Sequence, residues 1–390
     1  MPKRNKEKIV LVTAGGPISC FHAAMERMYE NLEEKASGEY ELVGAWGGLS
    51  GLIKGEFEKI HYEDLEENRA GSLIGADRKI ADTGKVIEVV KKNNIYAIIM
   101  MGGDNHLGEA AKIYKETGVN IVGYPKTMDG DLDSLISLGW ESAVTVGAKA
   151  TRNHHATAMT TRRIFYAGLF GRNTDLVPCA VSLYGGADRC IPCEQEYEWE
   201  YIWEKISESV KENQEKFRVP FAVVNFSEGA KIKGIKEPPE EHCSYDAHGL
   251  PKLQPEWLGL ELVRLTKEKK IASGFECYTY SMRDTPPTET DKRLSRMAGE
   301  ECINMVLEGD FGKCVVFEPE DEFYKTGRKP LEEVAVQRKL KPTGFFDYCE
   351  LKPRKCFADV YGNLFRGSLG EPPTKDQLVY KNMLRKEKLK

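Results

Sequence analysis

No apolar run in this 390-residue chain approaches the ~18 residues that a membrane span needs. The basic start passes directly into Ile9–Thr13 (IVLVT), too short for a signal-peptide core and without a cleavage pattern, so a cytoplasmic location is expected. Cysteine is sparse, ten residues scattered along the chain, which excludes a disulfide framework. The single CxxC, Cys190-Ile-Pro-Cys193, lacks the second pair or the histidines of a zinc site. A redox pair would need it to open a helix near a thioredoxin-like unit, so ordinary reduced thiols are expected. An excess of positive charge is also missing. Lys plus Arg total 56 against 61 for Asp plus Glu, a formal charge of −5, which argues against nucleic acid or an acidic membrane as partner. The basic clusters at Met1–Lys8 and Arg385–Lys390 read as solvated tails. Neither a fixed-period repeat nor a low-complexity tract is found.

What is present is a globular balance, 41% hydrophobic and 30% charged, with length for two or three domains and a large core. The first third alternates strands and helices. Lys8–Thr13, Glu41–Trp46, Tyr96–Met101 and Asn120–Tyr124 are apolar runs ending in Gly- or Pro-rich turns, the pattern of buried parallel strands. Thr83–Asn93 and Leu107–Thr117 read as the helices between them. A second α/β set follows, with a long helix over Ser142–Arg163 and strands at Ile164–Leu169, Ala180–Tyr184, Phe221–Phe226 and Glu276–Ser281. Helices are expected over Glu196–Glu215, Leu258–Lys270 and Thr288–Leu307, and a strand at Cys314–Phe317. Two α/β lobes meeting across a cleft are the simplest architecture, with ligands at the carboxyl ends of the strands. Gly229–Pro255, rich in Pro, Lys, Glu and His, reads as an exposed excursion.

Two turns carry the chemistry. Gly102-Gly103-Asp104-Asn105 stands between a strand and a helix, where glycines let backbone N–H groups approach a phosphate and the helix dipole favours an anion. Asp104 offers an oxygen suited to Mg²⁺. A plain strand-to-helix turn uses the same residues. Pro125-Lys126-Thr127-Met128-Asp129-Gly130-Asp131 sets one lysine, one threonine and two carboxylates at a strand end, although Asp-Gly-Asp is also ordinary turn chemistry. The two turns lie one helix apart, so consecutive parallel strands would deliver both to one rim. That coincidence favours phosphoryl transfer.

These residues resemble the phosphofructokinase family, which uses ATP or pyrophosphate as donor and whose signature is a GGD turn followed by PKTxDxD. Thr13-Ala14-Gly15-Gly16 resembles its N-terminal phosphate loop, and Gly71–Arg78 (GSLIGADR) the segment ending in a phosphate-binding arginine. Arg163–Arg172 (RIFYAGLFGR) is similar to its RI…MGR strand, with Phe170 in place of Met, and Ser227-Glu228-Gly229 to its substrate-binding glutamate. Tyr280–Arg283 (YSMR), with Pro287 and Asp291 beyond, resembles the segment whose arginine grips the sugar phosphate. The ordered matches span roughly residues 8 to 300.

The resemblance implies transfer of a phosphoryl group to the 1-hydroxyl of fructose 6-phosphate, with Mg²⁺ as cofactor. It makes Asp129 the general base and Asp104 the Mg²⁺ ligand. Asp131 supports the site, while Lys126, Arg78 and Arg172 steady the transferred group. Gly15, Gly103 and Asn105 line the donor phosphates. Arg163 and Arg283 hold the 6-phosphate, with Thr127, Phe170, Gly171, Glu228 and Tyr280 completing the acceptor site. In the family the arginine matching Arg163 comes from a neighbouring subunit, so a homodimer or homotetramer is implied. The implied fold is two Rossmann-like three-layer α/β lobes with largely parallel sheets and a cleft between them. Residues 1–142, completed by about 285–320, would bind the donor and 143–284 the sugar phosphate, with 321–390 an irregular C-terminal extension.

Three positions depart from the family. The first loop continues Pro17-Ile18-Ser19-Cys20 where a PG pair is usual. A second acceptor arginine would fall near Gly274, where only Lys269 and Lys270 are close. Leu49 stands where a nucleotide-lining Tyr is common. The residue after GGD separates donors in the family: Gly admits the ATP α-phosphate, Asp is typical of pyrophosphate users, and Asn105 matches Asp in bulk. Pyrophosphate is therefore the expected donor, with ATP the alternative. A catalytically reduced regulatory subunit of the same fold competes, but Asp104, Asp129, Asp131 and Arg172 are intact. A dinucleotide oxidoreductase ranks last, because no GxGxxG follows the first strand. His154-His155 lacks the i,i+4 spacing of a helical metal pair and reads as interface or surface groups. The Tyr197-Trp199-Tyr201-Trp203 alternation reads as a strand, a carbohydrate-stacking face, or a packed helix or interface.

Overall fold

The apolar runs that end in glycine or proline become the middle of a sheet. The computed structural model describes residues 6–79, 82–236, 238–239 and 253–380. Most of the terminal basic clusters, and residues 237 and 240–252 of the expected excursion, lie outside the described residues. The chain divides into two compact units, Met1–Ser142 with Arg283–Arg338, and Ala143–Met282 with Lys339–Lys390. Among the described residues no helix is long and apolar enough to cross a membrane.

Unit 1 holds a seven-stranded sheet in the order Phe323–Pro330, Lys313–Glu320, Ile121–Pro125, Ile95–Gly102, Glu7–Thr13, Tyr40–Ala45, Phe57–Lys59. The five inner strands are parallel and the two edge pairings antiparallel. Central strands are buried almost end to end because helices cover both faces, which is why they read as continuous apolar runs rather than alternations. The edge strand Phe323–Pro330 carries Lys325, Arg328 and Lys329 and ends in proline, features that discourage pairing with another chain. Helices Phe21–Ala36 and Glu289–Glu308 cross closely, and a Cβ on Gly299 would stand 2.6 Å from the Ala24 carbonyl oxygen. Asp291, fully buried on the second of these helices, accepts hydrogen bonds from Gly139 N (3.2 Å), Ser142 N (3.1 Å) and Ser142 Oγ (2.7 Å). That carboxylate fastens the returning segment to the residues that open the long helix Trp140–Thr161.

Unit 2 is built on a four-stranded parallel sheet in the order Ser273–Cys277, Ile164–Leu169, Ala222–Ser227, Arg189–Ile191. Ala180–Tyr184, expected as a strand, is instead part of a helix, Leu176–Gly185. Every residue of that helix is buried, so the segment has no polar face and its period is illegible. The expected strand Glu276–Ser281 is also corrected. The strand is Ser273–Cys277, and Thr279–Arg283 is a helical turn. His154 and His155 are core groups rather than surface or interface ones. His154 stacks on Phe165 at 3.9 Å and shares a 2.5 Å hydrogen bond with the Tyr278 hydroxyl, while His155 Nε2 lies 3.0 Å from the Gly186 carbonyl. Burial holds both imidazoles well below their usual range, to about 4 and about 3.

The aromatic alternation resolves into a short strand, Glu196–Glu198, running into the helix Trp199–Phe217. Tyr197 stacks on Tyr201, and Trp199 packs near Trp203 against the core. Residues 321–380, the described part of the expected irregular extension 321–390, are built into both units. They supply the edge strand of unit 1 and then the helix Cys356–Leu369 of unit 2, whose Phe357, Leu364 and Phe365 are buried. Pro330 and Pro353 end strands, Pro342 stands in the opening turn of a short helical segment and Pro372–Pro373 lie in a loop, all places where proline is tolerated. Cys190 and Cys193 are buried free thiols.

Asp291→Ala removes the acceptor of three buried donors at once. It is expected to destabilise unit 1 by about 3 kcal/mol, the scale of unsatisfied buried groups, read as a lowered denaturation midpoint. A loss within about 0.5 kcal/mol, the scale of a surface change, would contradict this account.

Candidate active site

Three neighbouring parallel strands of unit 1 end at one edge of its sheet and deliver three turns there. Glu7–Thr13 leads into Ala14-Gly15-Gly16, Ile95–Gly102 into Gly103-Asp104-Asn105, and Ile121–Pro125 into Lys126–Asp131. Gly15 adopts a left-handed φ of 85°, and its N–H donates to the Asp77 carbonyl at 2.7 Å. That bond holds the segment before the exposed Arg78 against the first loop. Lys126 is buried, and its ammonium donates to the Ala14 carbonyl at 3.0 Å. A Cβ on Gly15 would lie 3.0 Å from the Lys126 Nζ, so the glycine leaves the ammonium its room. Gly103 caps the helix Asp104–Thr117, which puts Asp104 in its first turn and leaves Asn105 exposed. Leu49 is a core residue at the start of a short helix whose backbone N–H groups are capped by Asp77.

The charges in this turn cluster are strongly coupled. Burial, reinforced by the positive charges of Arg283 and Arg78, pulls the Lys126 ammonium down to about 7. Burial pushes the Asp129 carboxyl up, while Arg283 and Lys126 oppose that rise. Asp131 is pushed up to about 7, chiefly by burial and then by Asp129. Thr127 Oγ1 accepts the Asp129 N–H at 3.1 Å and reaches the Asp129 carboxylate at 3.4 Å, tying the turn together. Asp131 accepts a 2.8 Å hydrogen bond from the Gln337 side-chain amide. Arg283, expected at the acceptor phosphate, belongs to this unit 1 cluster. Its guanidinium carbon is 3.2 Å from the Cβ position of Gly16, and its charge acts on both Lys126 and Asp129. A carboxylate beside two cations under a glycine-rich turn can accept a proton while a phosphate is held.

In unit 2 the strand ends are shaped by glycine. Gly171 has φ 149°, and its carbonyl accepts the Gly229 N–H at 3.1 Å and the Ser227 hydroxyl. A Cβ there would collide with Ser227 Oγ and Pro178, and one on Gly229 with the Arg172 carbonyl. Phe170 is buried in the position expected for Met. Glu228 N donates to the Leu169 carbonyl at 2.8 Å, fixing this glutamate at the end of its strand. A cavity of about 490 Å³ opens beside Arg172, lined also by Asn173, Glu194, Lys231, Lys339 and Lys341. Glu194 is occupied by the N–H groups of Asp175, Leu340 and Lys341 at 2.8 to 2.9 Å, so four cations face the space against one engaged carboxylate. Arg163 lies in this unit, with Nη1 3.6 Å from the Cβ position of Gly274, and Tyr280 is exposed.

Several contributors escaped the sequence reading. His106 packs under the first loop, with its ring 3.8 Å from the Cβ position of Gly15, and its place next to GGD was the available signal. Asp77 stands inside the GADR segment, but its capping role is a tertiary contact. Gln337, Lys339 and Lys341 belong to no motif and reach the strand ends only through the fold. Among the described residues no three metal-ligating side chains converge. The oxygen donors at hand are Asp104 and Asp129, near enough for the Asp104 charge to raise Asp129. Such a set fits Mg²⁺, which retains waters and commonly takes one or two carboxylates together with substrate phosphates.

The phosphofructokinase family matches residues 8–306. A pyrophosphate–fructose 6-phosphate 1-phosphotransferase of Amycolatopsis methanolica is 27% identical over 360 residues, covering 88% of this chain and 99% of that protein. The ATP-dependent 6-phosphofructokinase 3 of Bacteroides thetaiotaomicron is 25% identical over 352 residues, covering 85% and 94%. A pyrophosphate-dependent phosphofructokinase from Marinobacter aquaeolei shares the fold with a TM-score of 0.77, at 17% identity and 98% coverage of both chains. The chain belongs to the phosphofructokinase family, and the two-lobe α/β fold is the one expected.

The position of Lys126 gives anion binding a definite pH dependence. With its amine at about 7 the free protein is largely unprotonated there at pH 8, and a bound phosphate favours the charged form. Binding of inorganic phosphate at pH 8 should therefore draw a proton onto the protein and weaken as pH rises above 7. Calorimetry in buffers of different ionisation enthalpy reads that uptake, and Lys126→Met should abolish it. Identical uptake in wild type and variant would remove Lys126 from the site.

Proposed function

We propose that the chain is a cytoplasmic phosphotransferase that moves a phosphoryl group from pyrophosphate to the 1-hydroxyl of fructose 6-phosphate. The products are fructose 1,6-bisphosphate and inorganic phosphate. The observation that carries this reading is a buried Asp129 acted on by Lys126 and Arg283, the two cations beside Gly15 and Gly16. Asp129 accepts the proton of the 1-hydroxyl as its oxygen bonds to the transferred phosphorus. The bridging P–O bond breaks, and the leaving phosphate departs with the electron pair. Lys126 balances the charge on the transferred group, and charge balance is most of what phosphoryl transfer asks of a protein, while Arg283 is assigned the acceptor 6-phosphate. Gly15, Gly103, Asn105 and Arg78 line the donor, and Arg172 is assigned to steady the transferred group. Asp104 would hold Mg²⁺, whose contribution is to neutralise donor phosphate charge.

Glu228 is assigned to accept from sugar hydroxyls, with Thr127, Phe170, Gly171 and Tyr280 as the other residues of the acceptor. Arg163 is assigned the 6-phosphate of a second copy in a homodimer or homotetramer, for which a guanidinium fork is suited. Met1–Ser142 with Arg283–Arg338 is then the donor unit.

Pyrophosphate is favoured over ATP by Asn105, whose side chain occupies the room an ATP α-phosphate would need, and by the apolar Leu49. The Amycolatopsis relative's name supports that donor, whereas the Bacteroides relative's name supports ATP as the second reading.

Asp129→Asn should leave the fold intact and lower kcat by about 10²–10⁴, the usual worth of a positioned base. Near-normal turnover with the preferred donor would remove the assignment. For the donor, kcat/KM is expected to be higher with pyrophosphate than with ATP, and Asn105→Gly should raise the relative use of ATP. Measurement of both donors at saturating Mg²⁺ and fructose 6-phosphate decides it. An ATP preference unaffected by the substitution would defeat the steric argument.

A further inference from the structure

We infer that Gln337 and Arg338 are positioning residues of the transfer loop, holding Asp131 and its turn in the geometry from which Asp129 acts. The inference rests on the reading of Asp129 as general base. Both residues lie beyond residues 8–306, where the family matches.

Residues 127–137 belong to no helix or strand, so their buried backbone groups must find partners elsewhere. The segment after the edge strand supplies them. The Arg338 guanidinium donates through one nitrogen to the Gly130 carbonyl at 2.9 Å and the Leu135 carbonyl at 3.1 Å. Arg338 N–H donates to the Asp131 carbonyl at 2.6 Å, and Asp133 N–H reaches the Val334 carbonyl at 3.3 Å. The Gln337 amide donates to the Asp131 carboxylate at 2.8 Å. The turn needs this outside hold, because Gly130 has φ 71° and Leu135, a residue with a side chain, has φ 60°.

The clamp is itself rooted in the sheet. Leu331 and Val334 of the short helix Leu331–Val334 are buried, and a Cβ on Gly123 would stand 2.6 Å from the Leu331 side chain. Gly123 lies in the strand that leads directly into Lys126, so the clamp registers the loop against its own strand. A neutral amide at Gln337 also suits the place. It fixes one oxygen of Asp131, whose neighbours include Asp129 and Asp104, without adding a cation that would compete for the substrate phosphates.

The test uses the full chain with Mg²⁺, fructose 6-phosphate and pyrophosphate. Gln337→Met should lower kcat roughly 10- to 100-fold, the range for losing a hydrogen bond to a charged group. The thermal midpoint and the fructose 6-phosphate KM should stay near wild type. Because Gln337 acts through Asp131, the same change made on an Asp131→Ala background, which removes the acceptor, should cost little further. Arg338→Lys should retain more activity than Arg338→Met. Full additivity with Asp131→Ala, or a loss explained by a lowered thermal midpoint, overturns the positioning role. If Gln337→Met does not fold, Gln337→Glu, of the same shape, carries the same expectation. Asp129→Asn assayed alongside separates the two readings. An active Asp129→Asn removes the base, whereas an inactive one beside a fully active Gln337→Met removes only the clamp.

Discussion

The Lys126 ammonium is held out of water at the end of a parallel strand, bonded to the carbonyl of Ala14 in the turn that follows a strand two places away in the sheet. A lysine so placed costs folding free energy, because burial penalises its charged form and Arg283 and Arg78 add like charge. Its neighbours are arranged around that cost. Gly15 keeps a Cβ away from the ammonium, and Asp129 is near enough to pull its proton affinity back up. The same features suit an anion. Cations preorganised under a glycine turn gain most from a phosphate that brings the missing negative charge, with no reorganisation left to do when it arrives.

The carboxylates obey the same constraint with opposite sign. Burial raises both Asp129 and Asp131, but Asp129 has the cations beside it while Asp131 has mainly Asp129 and one amide donor. Two acids of one turn thus stand in different electrostatic surroundings, the usual basis for dividing roles between like groups. In unit 2 the limit is steric. Gly171 and Gly229 bring two strand-end loops so close that only hydrogen atoms fit, which fixes the backbone at Arg172 and beside Glu228.

Discontinuity in sequence is central to the architecture. Residues 283–338 return to the first unit, where Asp291 is buried against residues 139–142 and Lys313–Glu320 pairs with Ile121–Pro125. Arg283 opens that returning segment, which explains why an arginine so late in the chain joins the first glycine turn. The parallel strands were legible because continuous apolar runs closed by glycine or proline have few other folds available. Leu176–Gly185 was not, since a segment buried all round carries no period, and His154 was misjudged because a stacked, hydrogen-bonded imidazole leaves no local signature.

The sequence by itself determined the order of elements, the glycine turns at the strand ends and the types of group brought there, because each depends on local backbone rules and nearby residues. Gly102 to Asp131 is such a stretch, and its lysine and aspartates were identifiable before any contact was known. The electrostatic settings of Lys126, Asp129 and Asp131, the place of Arg283 in their cluster, and the hold of Gln337 and Arg338 on the turn at Gly130–Asp131 come from the tertiary structure alone. Those depend on burial and on contacts between residues more than a hundred positions apart, for which a lone glutamine or arginine in a polar stretch gives no warning.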